Sequence, residues 1–217
     1  MTPVPLSFRS FGAGALVAGL ALALAACGGG SKHNADTPAV TTPKVLAVKT
    51  SVLHVGTVDV ESAGPSNPID PATGKAVLGA AQSYIDNAIF APLKTGTLGA
   101  GYSAMFDAGV KTTATGADEP ALTDLQIGKV TKLSTTATPV LLSTLEGKLG
   151  EAMYFGTDFD LNIKANTDAG PLKIHRHIEL TFARTGKAWL VTAYRVNALR
   201  KSTAGTTTTT ATGGTTP

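Results

Sequence analysis

From Ile127 to Ala198 apolar and polar residues alternate with a period of two. That pattern predicts five strands, Gly128–Ser134, Pro139–Thr144, Glu151–Ala165, Leu172–Ala183 and Ala188–Ala198. The segments between the later strands are Glu146-Gly147-Lys148, Asn166 to Pro171 and Arg184-Thr185-Gly186-Lys187. Their hairpin length predicts an antiparallel meander. Upstream the period changes. Val77, Ala80, Ala81, Tyr84, Ile85, Ala88 and Ile89 recur at three- and four-residue spacing, with Lys75, Gln82, Ser83, Asp86 and Asn87 on the other side. This is a helix stripe, with Thr73 as its expected N-cap and Pro92 as its expected end. A shorter helix is expected over Gly101–Phe106 and a helical turn over Glu119–Asp124. The β-branched stretch 44–60 predicts a strand near Val48–Val55 and a short one at Thr57–Val60. Helices followed by a run of strands define the α+β class, with N-terminal helices packed on a curled, cone-like β-meander.

The N-terminus reads differently. After Arg9, the fifteen residues Gly12 to Ala26 are only Gly, Ala, Leu and Val, and then the sole cysteine, Cys27, precedes Gly28-Gly29-Gly30-Ser31. The run is short for a membrane span, which needs roughly 20 residues, and fits a secretory signal core. Leu24-Ala25-Ala26-Cys27 has the form of a lipobox, in which the thiol takes a diacylglycerol and becomes the first mature residue. The expected organisation is a lipoprotein signal peptide over 1–26 and a flexible tether over 27–43. A single α+β domain over 44–200 and a disordered Thr-rich tail over 201–217 complete it. The expected location is the extracytoplasmic face of the cell membrane, lipid-anchored through Cys27. The net charge of +3 is scattered, without a basic stripe interleaved with aromatics, which argues against nucleic acid as a partner.

Two constellations carry candidate chemistry. In Lys173-Ile174-His175-Arg176-His177-Ile178-Glu179, alternation puts His175, His177 and Glu179 on one strand face. Pairing Ala165 with Leu172 would set Asp160 opposite His177 and Asn162 opposite His175. A His-x-His pair beside a carboxylate can hold zinc. It equally suits the wet face of a half-exposed strand, so neither metal nor cofactor is expected. Arg176 points with the apolar residues instead. Pairing Ala183 with Ala188 would set it opposite Arg195, on the face of Trp189, Val191 and Ala193. Two cations there need a ligand anion or a carboxylate, unless they are simply exposed at the end of the sheet, which is the favoured reading.

The order of elements resembles the nuclear transport factor 2-like, or cone-fold, superfamily over roughly residues 74–198. The likeness is carried by AVLGAAQSYIDNAIFAPL, then YSAMFDAGV, then the meander closed by KAWLVTAYRV. Within that group the chain is similar to actinobacterial envelope lipoproteins and to proteins associated with mammalian-cell-entry lipid transport. The resemblance implies a cone interior in which Tyr84, Arg176, Arg195 and Trp189 are candidate ligand-binding residues. Trp189 is expected on the concave face against Val77, Tyr84 and Ile85. An isomerase- or cyclase-like enzyme would draw on Tyr84 or Tyr102 as donors, with Asp107 near the pocket entrance. No catalytic motif accompanies them. The expected function is a non-enzymatic binding or accessory module for an apolar small-molecule ligand or an envelope protein. A small cone-fold enzyme and a structural subunit of a lipid transport system are the alternatives.

Overall fold

A computed structural model of the chain describes residues 53–62, 69–146 and 152–214. The signal, Cys27, the tether and most of the Val48–Val55 strand lie outside the described residues. The fold is α+β, a bent helix laid across one face of a seven-stranded, mostly antiparallel sheet. The strands are β1 (Val55–Ser62), β2 (Lys132–Ala137), β3 (Val140–Glu146), β4 (Ala152–Thr167), β5 (Gly170–Thr185), β6 (Ala188–Ser202) and β7 (Gly205–Gly214). Their order is β1-β3-β4-β5-β6-β7, with β2 also paired to β4. β2 and β3 line the same edge of β4 in succession, separated by Thr138 and Pro139. Proline has no N–H to give the ladder. There the Thr138 N–H bonds the Asp160 carbonyl and the Asp160 N–H bonds the Thr138 hydroxyl. β1 runs parallel to β3, so the sheet is more than a meander.

The N-cap of helix α1 (Pro71–Tyr84) lies three residues before the expected one. Asp70, not Thr73, is the N-cap, and its carboxylate accepts the Thr73 N–H at 3.0 Å. The helix also continues through Pro92, where the sequence predicts its end. A π-helical segment, Ile85–Phe90, leads into α2 (Ala91–Thr95), which stops at Gly96. In a regular helix the Ala88 carbonyl would accept from residue 92, but proline has no N–H. The Asp124 N–H takes that carbonyl instead, at 3.2 Å. Helices α3 (Ala108–Ala114) and α4 (Glu119–Leu122) follow, and the Asp107 carboxylate caps α3 through the Gly109 N–H. The expected Gly101–Phe106 helix is only a 3₁₀ turn, Tyr102–Ala104.

The core lies between helix and sheet. Val77, Ala81, Tyr84, Ile85, Ala88 and Ile89 meet Phe155, Phe159, Leu161, Ile178, Phe182 and Val196, all buried. The β4–β5 register matches the expectation, with Ala165 opposite Leu172, Asp160 opposite His177 and Asn162 opposite His175. The β5–β6 register does not. Gly186 and Lys187 alone form the turn, so Thr185 pairs Ala188 and Ala183 pairs Leu190. Gly186 has φ 62, a left-handed conformation that glycine adopts without strain. A register shift between Thr181 and Phe182 leaves Thr192 as an extra residue. One bulged residue reverses the facing of every later side chain. Inward positions are therefore Trp189 and Val191 before the bulge, and Tyr194, Val196, Ala198 and Arg200 after it.

The Thr-rich tail is a second correction. Gly205–Gly214 pairs with β6 along its whole length, from Ser202 opposite Gly205 to Ala193 opposite Gly214. Thr is a strand former even where it is too polar to seed a core, so a ready edge such as β6 captures it. Ala211 is buried. Gly213 lies directly under Tyr194, where an added Cβ would come within 2.5 Å of the ring.

Candidate functional site

Two polar clusters sit on opposite faces of the sheet. The inner one is a buried triad of Asp124, Arg176 and Arg200. Asp124 follows α4 in a turn that Arg176 of β5 and Arg200 of β6 reach from below. Arg176 Nη2 donates to Asp124 Oδ1 at 2.7 Å and Nε to Oδ2 at 3.2 Å. Arg200 donates to Oδ1 through Nε at 3.1 Å and Nη2 at 2.9 Å. The remaining guanidinium donors take main-chain or hydroxyl oxygens. Arg176 bonds the carbonyls of Ala121 and Thr123, and Arg200 bonds the Thr123 carbonyl and the Thr209 hydroxyl of β7. Asp124 and Arg176 are 0% exposed.

Two cations on one carboxylate leave a surplus positive charge. Burial and the charge of Arg176 push the Arg200 guanidinium below its ordinary value. Arg176 is held above its own, against burial, by Asp124. Arginine stays protonated in either case. The carbonyl dipoles at the end of α4 take up the surplus. Tyr84 completes the region by donating to the Leu122 carbonyl at 2.6 Å, and burial raises its phenol above the ordinary range. Tyr194 reaches Asp118 at 2.8 Å. Segment 118–124 is thus hydrogen-bonded to α1, β5 and β6 at once.

The outer cluster is half exposed. His177 Nδ1 lies 3.1 Å from Asp160 Oδ1, and Nε2 lies 2.9 Å from Glu179 Oε1. Both nitrogens can donate only as the imidazolium. Burial opposes that charge, but the bonds to Glu179 and Asp160, with the nearby charges of Asp158 and Asp160, outweigh it and raise His177 above its ordinary value. Glu179 is held below its ordinary value, again against burial, by Arg195 and His177. Arg195 lies directly across the ladder and donates twice to Glu179 Oε1, through Nε at 2.9 Å and through Nη2. His175 Nδ1 lies 3.1 Å from Asn162 Oδ1, and its Nε2 lies 3.7 Å from Asp160 Oδ1. The two histidines therefore flank the same Asp160 oxygen, His177 at hydrogen-bond distance and His175 farther off. Among the described residues, one donor atom each from Asp158, His177 and Glu179 lie within 4.8 Å of one another, a grouping that could hold a metal ion and that takes only His177 from the His-x-His pair.

The four candidate ligand-binding residues do not form one site. Tyr84 and Arg176 are buried within the triad region with their polar atoms bonded to protein. Arg195 is on the outer face, because the Thr192 bulge turned it there, and Arg176 faces Ala198 rather than Arg195. Trp189 is half buried at the edge of the core, edge-to-face with Phe155 at 5.1 Å between centroids. The Tyr102 hydroxyl donates to the Ala114 carbonyl at 2.8 Å, and Asp107 serves as a helix cap. Arg176 is not exposed at the end of the sheet as favoured from the sequence; it is buried on the Asp124 carboxylate, and the second cation is Arg200 rather than Arg195. No spacing reveals Asp124, which is 52 residues from Arg176. The Arg200 facing does have a signal. Apolar residues on β6 change phase from Trp189 and Val191 to Tyr194, Val196 and Ala198, and such a change marks a bulge.

No helix among the described residues is long and apolar enough to cross a membrane. Comparison of the chain with protein-family models, with curated proteins and with solved structures gave no match.

Proposed function

We propose that this protein is a non-enzymatic accessory module, held at the extracytoplasmic face of the cell membrane by lipid on Cys27, that binds an envelope protein through its surface. The anchor rests on the apolar run that ends in Leu24-Ala25-Ala26-Cys27. The long helix across a mostly antiparallel sheet supports the cone-fold resemblance. The observation that carries the accessory reading is how the interior is used. Where a ligand-binding cone would keep donors and a cavity, Tyr84, Arg176, Asp124 and Arg200 bond one another and the 121–124 backbone. Among the described residues Val77, Ile85, Ile89, Phe159 and Ile178 pack between helix and sheet, and an open groove remains at the sheet edge, beside Val55, Val58, Leu78 and Leu142. An apolar small molecule bound inside the core would have to displace packed side chains at the cost of several kcal/mol. Exposed apolar side chains instead lie on β1 and β3, Val55 and Val58 on the helix side beside Leu142, and Leu141 and Leu145 on the opposite face.

Native mass spectrometry of the full chain, released from membranes in mild detergent, tests this reading. The expected mass is the lipid-modified chain alone. A stoichiometric second apolar molecule, retained as detergent is stripped, would refute the filled interior and favour a ligand carrier.

A further inference from the structure

The outer face carries a feature that neither polar cluster explains. Lys164 of β4 is directly opposite Lys173 of β5, which is directly opposite Lys201 of β6. Residues paired in this way have Cβ atoms about 5 Å apart, and like charges so placed destabilise a sheet. All three are exposed. Among the described residues none of them has a carboxylate within ion-pair distance, although Asp158, Asp160 and Glu179 stand on the same face. Lys132 lies on the same face one step along, since β2 sets Ser134 opposite Lys164 and Lys132 opposite Asn166. The three lysines border a shallow groove with Asn162, His175 and Leu199. Asn162 and His175 add polar hydrogen-bonding groups, and Leu199 supplies an apolar floor.

Three lysines bordering one open groove, with no ion-pair partner among the described residues, suit a ligand that carries a compact negative charge. A phosphate fits best, because lysine binds it as a point charge from several directions. We infer that Lys164, Lys173 and Lys201 form a phosphate-binding ladder that takes the headgroup phosphate of an anionic lipid and so sets this end of the sheet on the membrane. The choice of a lipid over a soluble phosphate rests on the proposed Cys27 anchor. A lipid chain already holds the domain at the bilayer, and a basic patch is the usual second signal of such attachment.

The test is lysine reactivity toward a water-soluble acetylating reagent, read residue by residue by mass spectrometry on the full lipidated chain. The protein is placed in vesicles of phosphatidylcholine alone, or of phosphatidylcholine with a quarter phosphatidylglycerol. Incorporation into either vesicle reports on the anchor, separately from the ladder. In the anionic vesicles Lys164, Lys173 and Lys201 should react roughly fivefold more slowly than in the neutral ones, and the protection should fall as salt rises. Lys75 and Lys111, away from the ladder, should react equally in both. Equal reactivity of the ladder lysines in the two vesicles would overturn the inference. So would protection spread evenly over all lysines, which would mark bulk charge alone. Protection by millimolar inorganic phosphate in neutral vesicles, without protection by phosphatidylglycerol, would overturn the lipid assignment.

Discussion

Replacing Asp124 with alanine removes the only carboxylate from a buried site that holds two guanidiniums. Arg176 is completely buried and Arg200 nearly so, and together they place four hydrogen bonds on that carboxylate. Removing one partner of such a group costs about 3–5 kcal/mol, because the charges left behind are neither solvated nor paired. For a domain of this size each kcal/mol moves the thermal midpoint by about 2–4 °C, so Asp124→Ala should lower it by about 6–20 °C. Asp124→Asn keeps the shape and one acceptor oxygen, and should fall between alanine and wild type. The triple change Asp124→Leu, Arg176→Met and Arg200→Met removes every charge together. It should be more stable than Asp124→Ala alone, since apolar replacement of a whole buried ion group is often neutral or better. Calorimetry on the four proteins reads the series directly. An Asp124→Ala midpoint within 2 °C of wild type would refute the argument, and so would a triple variant less stable than the single one.

Three further outcomes follow from the same structure. Deleting residues 205–217 removes β7, the Thr209 hydroxyl on Arg200 and the buried Ala211. The thermal midpoint should drop by about 5 °C or more, and an unchanged midpoint would show that the strand contributes nothing. Trp189→Ala should cost about 2 kcal/mol by chemical denaturation, less than a fully buried Trp, because its ring is only partly buried beside Phe155; a cost above 4 kcal/mol would place it deeper than the structure does. The third concerns pH. His177 is raised above 6.5, so its stabilisation is complete below that pH and is lost as pH rises through the folded value. Glu179 is lowered from 4.5, so its contribution is present above 4.5 and is lost as pH falls through its folded value. Asp158 and Asp160 from β4, His175 and Glu179 from β5 and Arg195 from β6 are the charged groups around the ring. Stability should therefore decline from pH 6.5 upward in wild type, and His177→Gln should flatten that decline. An identical pH profile in the variant would mean that the ring carries no charge in the fold.

The parts of the fold that were legible in the sequence are those set by local pattern. Alternation between Glu151 and Ala183 predicts β4, β5 and the register between them, because the connection is short; the strands pair on to Thr167 and Gly170, leaving Asp168 and Ala169 as the turn. The β5–β6 register depended on two details that a period-two pattern hides. Gly186 and Lys187 form the whole turn, and Thr192 is an added residue. That pair of details decides the site, since it sends Arg195 outward and Arg200 inward. Pro92 looked like a helix end because proline lacks an N–H. The chain met that lack from 32 residues away, at Asp124. The Thr-rich tail looked unable to fold because it has no core-forming residues, but an edge strand needs only backbone pairing and a neighbour. Asp124 itself was the least legible. Its role comes from two arginines on different strands, and only the assembled sheet brings them together.

The account turns on Cys27, since the accessory role and the membrane contact both assume a lipid there. The direct measurement is metabolic labelling of producing cells with an alkyne fatty acid, comparing the natural chain with Cys27→Ser, followed by separation of membrane and soluble fractions. The natural chain should carry label and stay with the membrane, and Cys27→Ser should do neither, with the fold unchanged by circular dichroism. Label that persists in Cys27→Ser, or a natural chain that takes up none, would contradict it.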